Sequence, residues 1–273
     1  MIRYFSMLFV LLTGCNVNIN FQDQSSVIPQ ALTSTVQIFV RRPSMPPEAS
    51  AAVSPGTASS KLLVRRAGSG IVIHAAPDDG KALVLTARHL LTPLRDQKIF
   101  IVSPTRNRQR EARLVAVSDE FDLALLEVSG LHLTAVEVKE EARLGNAVWV
   151  VGFPWGLRRT VVTGVVSQIE WNESNPDEVP VEGPVMLIDA AVRYGVSGGG
   201  VFDSESGALV GIVRGYRSAE VPIPGSDGTP LRLPLAGETT VVPISNILKF
   251  MSSLALDDRI RKYEAKESIP VGD

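Results

Sequence analysis

Twelve short runs of apolar residues, divided into two series of six, constrain the fold of this chain most strongly. Turn-forming residues separate the runs, which is typical of β-strands. The runs are residues 35–40, 68–74, 82–86, 98–102, 112–117 and 123–128, then 147–152, 160–169, 185–188, 201–202, 208–214 and 239–243. Six strands suit a closed barrel, which leaves no sheet edge exposed. The sequence therefore predicts an all-β protein of two six-stranded antiparallel barrels, at about residues 34–130 and 145–243.

One helix is predicted after the second series, at residues 244–256, where apolar residues recur at nearly helical spacing. Residues 257–273 are mostly polar and predict a frayed tail. Residues 43–60 accumulate Pro, Ala, Ser and Gly without periodicity and predict a surface loop. We interpret residues 34–256 as one folded domain that contains both barrels and the helix.

The composition excludes several classes of partner and cofactor. The formal net charge is -2, and no basic block is interleaved with aromatic residues, so we expect no nucleic-acid partner. Three histidines and one cysteine are too few for a His/Cys metal cluster, and a single cysteine forms no disulfide within the chain. We therefore expect neither a metal nor another cofactor.

The N-terminus has the composition of a secretory signal peptide. Arg3 precedes the apolar segment 4–12, which is too short to span a bilayer. Leu12-Thr13-Gly14-Cys15 resembles the bacterial lipobox, in which cleavage leaves a lipid-modified cysteine as the new N-terminus. The alternative is a plain signal peptide that contains a cysteine by chance. Because the only cysteine falls where the apolar segment ends, we favour a lipoprotein signal peptide (1–14), followed by lipidated Cys15 and a flexible tether (15–33).

A serine flanked by glycines occurs in Gly195-Val196-Ser197-Gly198-Gly199. Such a turn can present the Ser197 hydroxyl and nearby N–H groups to one carbonyl, as acyl transfer requires. Upstream, His89 lies at the end of one apolar run and Asp122 opens another. Singly, each feature has a structural alternative, as a glycine turn, a polar strand end or a strand start. Together they give a base, an orienting carboxylate and a nucleophile in an order known for catalytic triads.

Eight motifs carry a wider resemblance, from about residue 35 to residue 256. They are Gly68-Ser69-Gly70-Ile71-Val72, Leu85-Thr86-Ala87-Arg88-His89, Asp122-Leu123-Ala124-Leu125-Leu126, Val151-Gly152-Phe153-Pro154-Trp155-Gly156, Thr163-Gly164-Val165-Val166-Ser167, Asp189-Ala190-Ala191, Gly195-Val196-Ser197-Gly198-Gly199 and Val242-Pro243-Ile244-Ser245-Asn246. With these motifs the chain resembles trypsin-like serine proteases of the chymotrypsin fold, and among them the bacterial HtrA (Deg) envelope proteases. The resemblance implies two barrels with the site between them and a C-terminal helix on the second barrel.

The resemblance also implies a role for each site residue. His89 would be the general base, Asp122 would orient it, and Ser197 would be the nucleophile. The backbone N–H groups of Gly195 and Ser197 would form the oxyanion hole. The expected activity is that of a serine endopeptidase acting on protein or peptide substrates through an acyl-enzyme. His74 and His132 have no partner signals, and we interpret them as surface or core residues.

The resemblance places a primary substrate pocket between the segment before the nucleophile and a substrate-pairing strand. The implied lining residues are Ala191, Arg193, Val213, Arg214, Gly215 and Tyr216. Ala191 stands where trypsin has an acidic residue, so we expect no preference for Lys or Arg before the scissile bond. We favour small aliphatic residues on the apolar floor, and the alternative is an acidic residue bound by arginine.

Two departures from the family pattern motivate a second hypothesis. Val196 precedes the nucleophile where Asp or Asn is usual, so a polar side chain that would brace the oxyanion loop is missing, and Gly200 replaces the usual Pro. Arg214 replaces a small polar residue and is expected near Asp122. The alternative function is therefore a catalytically inactive protease-fold binding module of the envelope.

Three further expectations concern organisation. An esterase of the α/β-hydrolase class would need alternating helices and strands, which the pattern does not show. The tail after residue 256 is too short for a PDZ domain, so we expect a single protease unit on a lipid tether. Asn16 follows Cys15 in place of the Asp that favours inner-membrane retention in enteric bacteria, so we favour the outer membrane facing the periplasm. The sequence predicts no oligomeric state.

Overall fold

The computed structural model describes residues 28–43, 62–76, 80–105, 108–139, 141–171, 185–221 and 230–254. A short helix comes first, α1 (Ile28–Ser34). The next six elements are β1 (Thr35–Pro43), β2 (Leu62–Ala75), β3 (Ala82–Ala87), β4 (Lys98–Val102), β5 (Gln109–Ser118) and β6 (Leu123–Val128). They are followed by β7 (Ala147–Gly152), β8 (Thr160–Trp171), β9 (Val185–Asp189), β10 (Gly200–Asp203), β11 (Leu209–Val221) and β12 (Leu231–Pro243). Residues 244–254 form helix α2.

The strands close into two antiparallel barrels, as the sequence predicts. In the first barrel the neighbours run β1-β2-β3-β6-β5-β4, and in the second they run β7-β8-β9-β12-β11-β10. The two barrels therefore share one strand order. Closure pairs both edges of every sheet, which removes the open edges that an unrolled six-stranded sheet would expose.

Three apolar cores hold the structure together. One fills the first barrel and one fills the second. The third lies between the barrels, where fully buried Ile71 and Leu85 meet Phe202 and Ile212, and where α2 adds Phe250. Each large side chain buried there contributes about 1.5–3 kcal/mol. This shared core holds the barrels against each other, so residues from both can face one cleft.

Helix α1 corrects the predicted flexible tether over residues 28–33. Its Ala31 is fully buried in the core between the barrels, and Arg159 Nη1 donates a hydrogen bond to the Leu32 carbonyl at 2.7 Å. The polar composition of residues 16–30 concealed this helix because only one short face of it is buried. Residues 28–33 therefore belong to the folded part of the chain.

Strands β11 and β12 are longer than predicted. Beyond Tyr216, residues 218–221 of β11 pair with residues 231–234 of β12. This ribbon exposes Val221, Leu231 and Leu233, so these apolar residues do not belong to a buried face.

Several predictions concern residues outside the described part of the chain. They are the signal peptide and Cys15, most of the loop at 43–60, the end of the predicted helix at 255–256 and the tail at 257–273. None of the helices in the described residues has the length and apolar character needed to cross a bilayer.

Candidate active site

The predicted base and its orienting carboxylate lie at paired strand ends of the first barrel. His89 is in the short 3₁₀ helix Arg88–Leu91 after β3, and Asp122 directly precedes β6. The pair Ala87↔Leu123 joins these two strands next to both residues. His89 Nδ1 is 2.7 Å from Asp122 Oδ2, and the His89 backbone N–H donates to Asp122 Oδ1 at 2.9 Å. Both carboxylate oxygens therefore bind His89.

The backbone of Asp122 is itself fixed in an uncommon conformation. Its φ is 54°, in the left-handed region that Asp tolerates better than most side chains. Its carbonyl accepts a hydrogen bond from the Arg88 N–H at 2.8 Å. The carboxylate is only 12% exposed, whereas the imidazole is 47% exposed. The pair thus has a largely shielded carboxylate and an imidazole that is exposed to solvent.

Ser197 lies in the turn before β10, where both barrels hold it. The Ser69 N–H on β2 donates to the Ser197 carbonyl at 3.0 Å, and the Gly198 N–H donates to the Val213 carbonyl on β11 at 2.8 Å. Gly198 has φ 82°, and a Cβ there would lie 2.1 Å from the Ser69 carbonyl oxygen, so the turn requires glycine. Within the described residues the Ser197 hydroxyl makes no hydrogen bond to His89. Such contacts often tighten only when substrate binds.

The N–H groups of Gly195 and Ser197, the predicted oxyanion donors, belong to the same peptide groups as the carbonyls of Tyr194 and Val196. Both carbonyls accept hydrogen bonds from other backbone N–H groups. The Trp155 N–H donates to the Tyr194 carbonyl at 2.7 Å, and the Gly199 N–H donates to the Val196 carbonyl at 2.7 Å. In a trans peptide the N–H points away from the carbonyl, so these bonds fix the directions of the N–H groups of Gly195 and Ser197. Neither N–H has an acceptor within the described residues, which leaves both available to a ligand oxygen.

Gly195 is required by the shape of this loop. The Val196 N–H donates to the Arg193 carbonyl at 3.1 Å, which closes a turn in which Gly195 has φ 93°. A Cβ on Gly195 would lie 2.5 Å from the Trp155 nitrogen. Any side chain would therefore force the loop away from residues 153–156.

Arg214 lies next to Asp122, as predicted. Its Nε is 3.5 Å from Asp122 Oδ2, the oxygen that also binds His89 Nδ1. Burial lowers the pKa of the Arg214 guanidinium below its ordinary value, and the charge of Asp122 opposes that change. This contact supports the interpretation that Arg214 binds the carboxylate rather than an acidic substrate side chain.

Of the predicted pocket residues, Ala191 and Arg193 line one cavity together with Val196, and the six residues differ in exposure. Val213 is fully buried and Gly215 is half-buried, while Ala191, Arg193 and Tyr216 are exposed. Arg217, the residue after Tyr216, forms an ion pair with Glu238 at 2.9 Å. His74 and His132 are exposed. Of the two predicted alternatives, surface or core, they are therefore surface residues.

Val196 packs into the core of the second barrel and is 5% exposed. A polar side chain at position 196 is therefore absent, as predicted, but the Ser69 hydroxyl of the first barrel donates to the Gly195 carbonyl at 2.9 Å. Sequence reasoning missed this contact because Ser69 and Gly195 are far apart in the chain and belong to different barrels.

In this fold of two packed barrels, the first barrel carries the His89–Asp122 pair and the second carries the glycine-flanked Ser197, an arrangement typical of trypsin-like peptidases. Residues 68–212 match the model of the trypsin-like peptidase domain, and the chain belongs to this family. It is 26% identical over 207 residues to the serine endoprotease DegS of Salmonella typhimurium, which covers 75% of this chain and 52% of DegS. It is 33% identical over 150 residues to the periplasmic pH-dependent serine endoprotease DegQ of Escherichia coli, which covers 53% of this chain and 30% of DegQ. The chain thus spans about half or less of these relatives' length.

Solved structures share the fold. The HtrA-type protease AlgW with a decapeptide superposes with a TM-score of 0.64 at 21% identity, over 85% of this chain and 67% of AlgW. A serine endoprotease from Yersinia pestis gives a TM-score of 0.57 at 20% identity, over 86% of this chain and 68% of that protein. At this level of identity the similarity establishes the two-barrel fold alone.

Proposed function

We propose that the chain is a serine endopeptidase that hydrolyses peptide bonds through His89, Asp122 and Ser197. The observation that carries the proposal is the His89–Asp122 contact at 2.7 Å on the first barrel, combined with a Ser197 turn that is hydrogen-bonded to the same barrel through Ser69. In that turn the N–H groups of Gly195 and Ser197 have no acceptor within the described residues. The relatives named serine endoproteases support it. The decapeptide in the AlgW structure supports a peptide substrate.

Each residue has a defined step in the reaction. Ser197 Oγ attacks the scissile carbonyl carbon while its proton moves to His89 Nε2. Asp122 keeps the other ring proton on Nδ1 and stabilises the imidazolium. The N–H groups of Gly195 and Ser197 bind the developing oxyanion, at roughly 3 to 4 kcal/mol for each donor. His89 then gives its proton to the leaving amine, and water repeats the sequence on the acyl-enzyme.

The rival hypothesis is an inactive protease-fold binding module, motivated by Val196 and Arg214. A fluorophosphonate probe separates the two, because an activated serine displaces fluoride and forms an Oγ–phosphorus bond while its proton passes to the base. We expect labelling of the unsubstituted chain at Ser197 and none of Ser197→Ala. A folded, unsubstituted chain that stays unlabelled would favour the binding module.

The same proposal includes attachment to the bacterial envelope. The names of relatives such as the periplasmic endoprotease DegQ support the compartment. The segment Leu12-Thr13-Gly14-Cys15 after a short apolar run supports a lipid on Cys15. Residues 1–14 would be removed, and residues 16–27 would link the anchor to α1. The outer membrane facing the periplasm remains the favoured location.

Replacing Cys15 by serine is expected to move the protein out of the membrane fraction or to leave its signal peptide uncleaved, because serine offers no thiol for lipid attachment. Cell fractionation and mass spectrometry of the mature N-terminus measure both outcomes. Thr13→Ser is the matched control, since it alters the same motif and keeps the cysteine. An unmodified N-terminus on unsubstituted protein found in the soluble fraction would contradict the anchor.

A further inference from the structure

Ser69 of β2 lies where the first barrel meets the oxyanion loop of the second, and it is fully buried. Its hydroxyl donates to the Gly195 carbonyl and accepts from the Phe153 N–H, each at 2.9 Å. Its N–H donates to the Ser197 carbonyl at 3.0 Å. Its own carbonyl accepts from Thr86 Oγ1 at 2.7 Å. Ser69 therefore connects the loop that precedes the nucleophile, the nucleophile itself and the 153–156 segment.

The direction of the hydroxyl proton is determined by these partners. An N–H can only donate, so the bond from Phe153 uses a lone pair of the Ser69 oxygen. A carbonyl can only accept, so the single hydroxyl proton must point at Gly195. Both capacities of a buried hydroxyl are thus used, and any rotation of the side chain would break one bond without a replacement from water.

The loop needs such a contact because Gly195 is conformationally free. A glycine with φ 93° has no Cβ to prevent rotation of the peptide groups on either side of it. The Tyr194 carbonyl on one side is held by Trp155, and the Gly195 carbonyl on the other side is held by Ser69. The side chain of Val196 is apolar and packs into the second barrel, so it offers no polar contact to this loop.

We propose that Ser69 is a positioning residue that holds the oxyanion loop in the shape that aims the Gly195 and Ser197 N–H groups at one point. The inference rests on the proposed protease function and goes beyond it. It assigns to the first barrel a part in transition-state binding in addition to supplying His89 and Asp122. A misplacement of about 1 Å at such a site lowers turnover by about 100-fold, so loss of the hydroxyl is expected to lower kcat rather than to raise KM.

The test compares Ser69→Ala with Ser34→Ala. Ser34 is also fully buried, and its hydroxyl donates to the Gln30 carbonyl at 2.9 Å within α1, so the control removes a buried hydroxyl elsewhere in the fold. Steady-state kinetics on a peptide substrate give kcat and KM, and thermal unfolding gives the stability of each variant. The affinities of two ligands are measured by titration against the same variants. One is a peptide aldehyde, which forms a tetrahedral adduct, and the other is the peptide product of the cleavage reaction. For Ser69→Ala we expect kcat and aldehyde affinity to fall together by about 100-fold, with product affinity and KM unchanged.

Three results would overturn the inference. One is a Ser69→Ala variant whose kcat matches that of Ser34→Ala, the second is a loss confined to KM, and the third is equal loss of aldehyde and product affinity. If Ser69→Ala does not fold, Ser69→Cys is measured instead, because a thiol is a weak donor in the same place. The expected loss in kcat is then smaller than the loss of about 100-fold expected for alanine. An unsubstituted chain without turnover would instead refute the proposed function, and this inference with it.

Discussion

Replacing Ser197 by alanine is expected to lower peptide hydrolysis by up to about a millionfold, and His89→Ala is expected to cost about as much. The two losses should be similar because the nucleophile and its base act as a unit. Without Ser197 no acyl-enzyme can form, and without His89 no group in the described cleft takes the hydroxyl proton during attack. Initial rates on a peptide substrate, with thermal unfolding of each variant, measure the effect. The double variant should be no less active than either single variant.

Matched controls separate this loss from general damage. Ser167→Ala changes an exposed serine on β8, and His132→Ala changes an exposed histidine outside the cleft. Both variants should keep the turnover of the unsubstituted chain. Hydrolysis that persists in Ser197→Ala would place the chemistry at another residue. If the two control variants lost as much activity as Ser197→Ala and His89→Ala, the loss would reflect reduced protein stability rather than missing catalytic groups.

The strands were predictable from sequence because each barrel strand buries a compact apolar set. Residues 98–102 and 123–128 were predicted with the same bounds that β4 and β6 have. Helix α1 was not predictable, because its one fully buried hydrophobic residue, Ala31, gives too short a pattern. The β11–β12 ribbon was missed for a different reason, because its apolar residues are exposed and its strands are joined by cross-strand pairing rather than by a buried face.

The candidate site was predictable where it depends on residue type and order. His89, Asp122 and Ser197 are marked by their neighbours in the chain, and the approach of Arg214 to Asp122 followed from its place on the substrate-pairing strand. The bond from Ser69 to Gly195 was not predictable. It depends on the packing of one barrel against the other, and a serine within Gly68-Ser69-Gly70 carries no local sign of a partner 126 residues away. The sequence therefore contains the signals for the proposed reacting groups, but it contains none for the group that we propose positions them.

Asp122→Asn is expected to lower turnover by about 10⁴-fold, less than the loss of the nucleophile but through a different cause. The carboxylate accepts from His89 at both oxygens. If the new amide oxygen continues to accept from the His89 backbone N–H, the amide NH2 faces Nδ1 and donates to it. That contact selects the tautomer with the proton on Nε2, which cannot accept a proton from Ser197. The measurement is kcat on a peptide substrate, together with fluorophosphonate labelling, which should slow in proportion.

The position of Arg214 makes the control for Asp122→Asn important. The partly buried guanidinium would lose its neighbouring anion at 3.5 Å, so Asp122→Asn should also reduce stability, because a buried charge without its partner is costly. Thermal unfolding measures that cost separately from turnover. Asp119→Asn makes the same chemical change three residues away at an exposed carboxylate, and it should leave kcat unchanged.

In Asp122→Asn with Arg214→Ser the guanidinium is absent, so stability should recover while turnover stays low. Recovery of turnover in that double variant would show that the unpaired charge, rather than the tautomer of His89, had stopped the reaction.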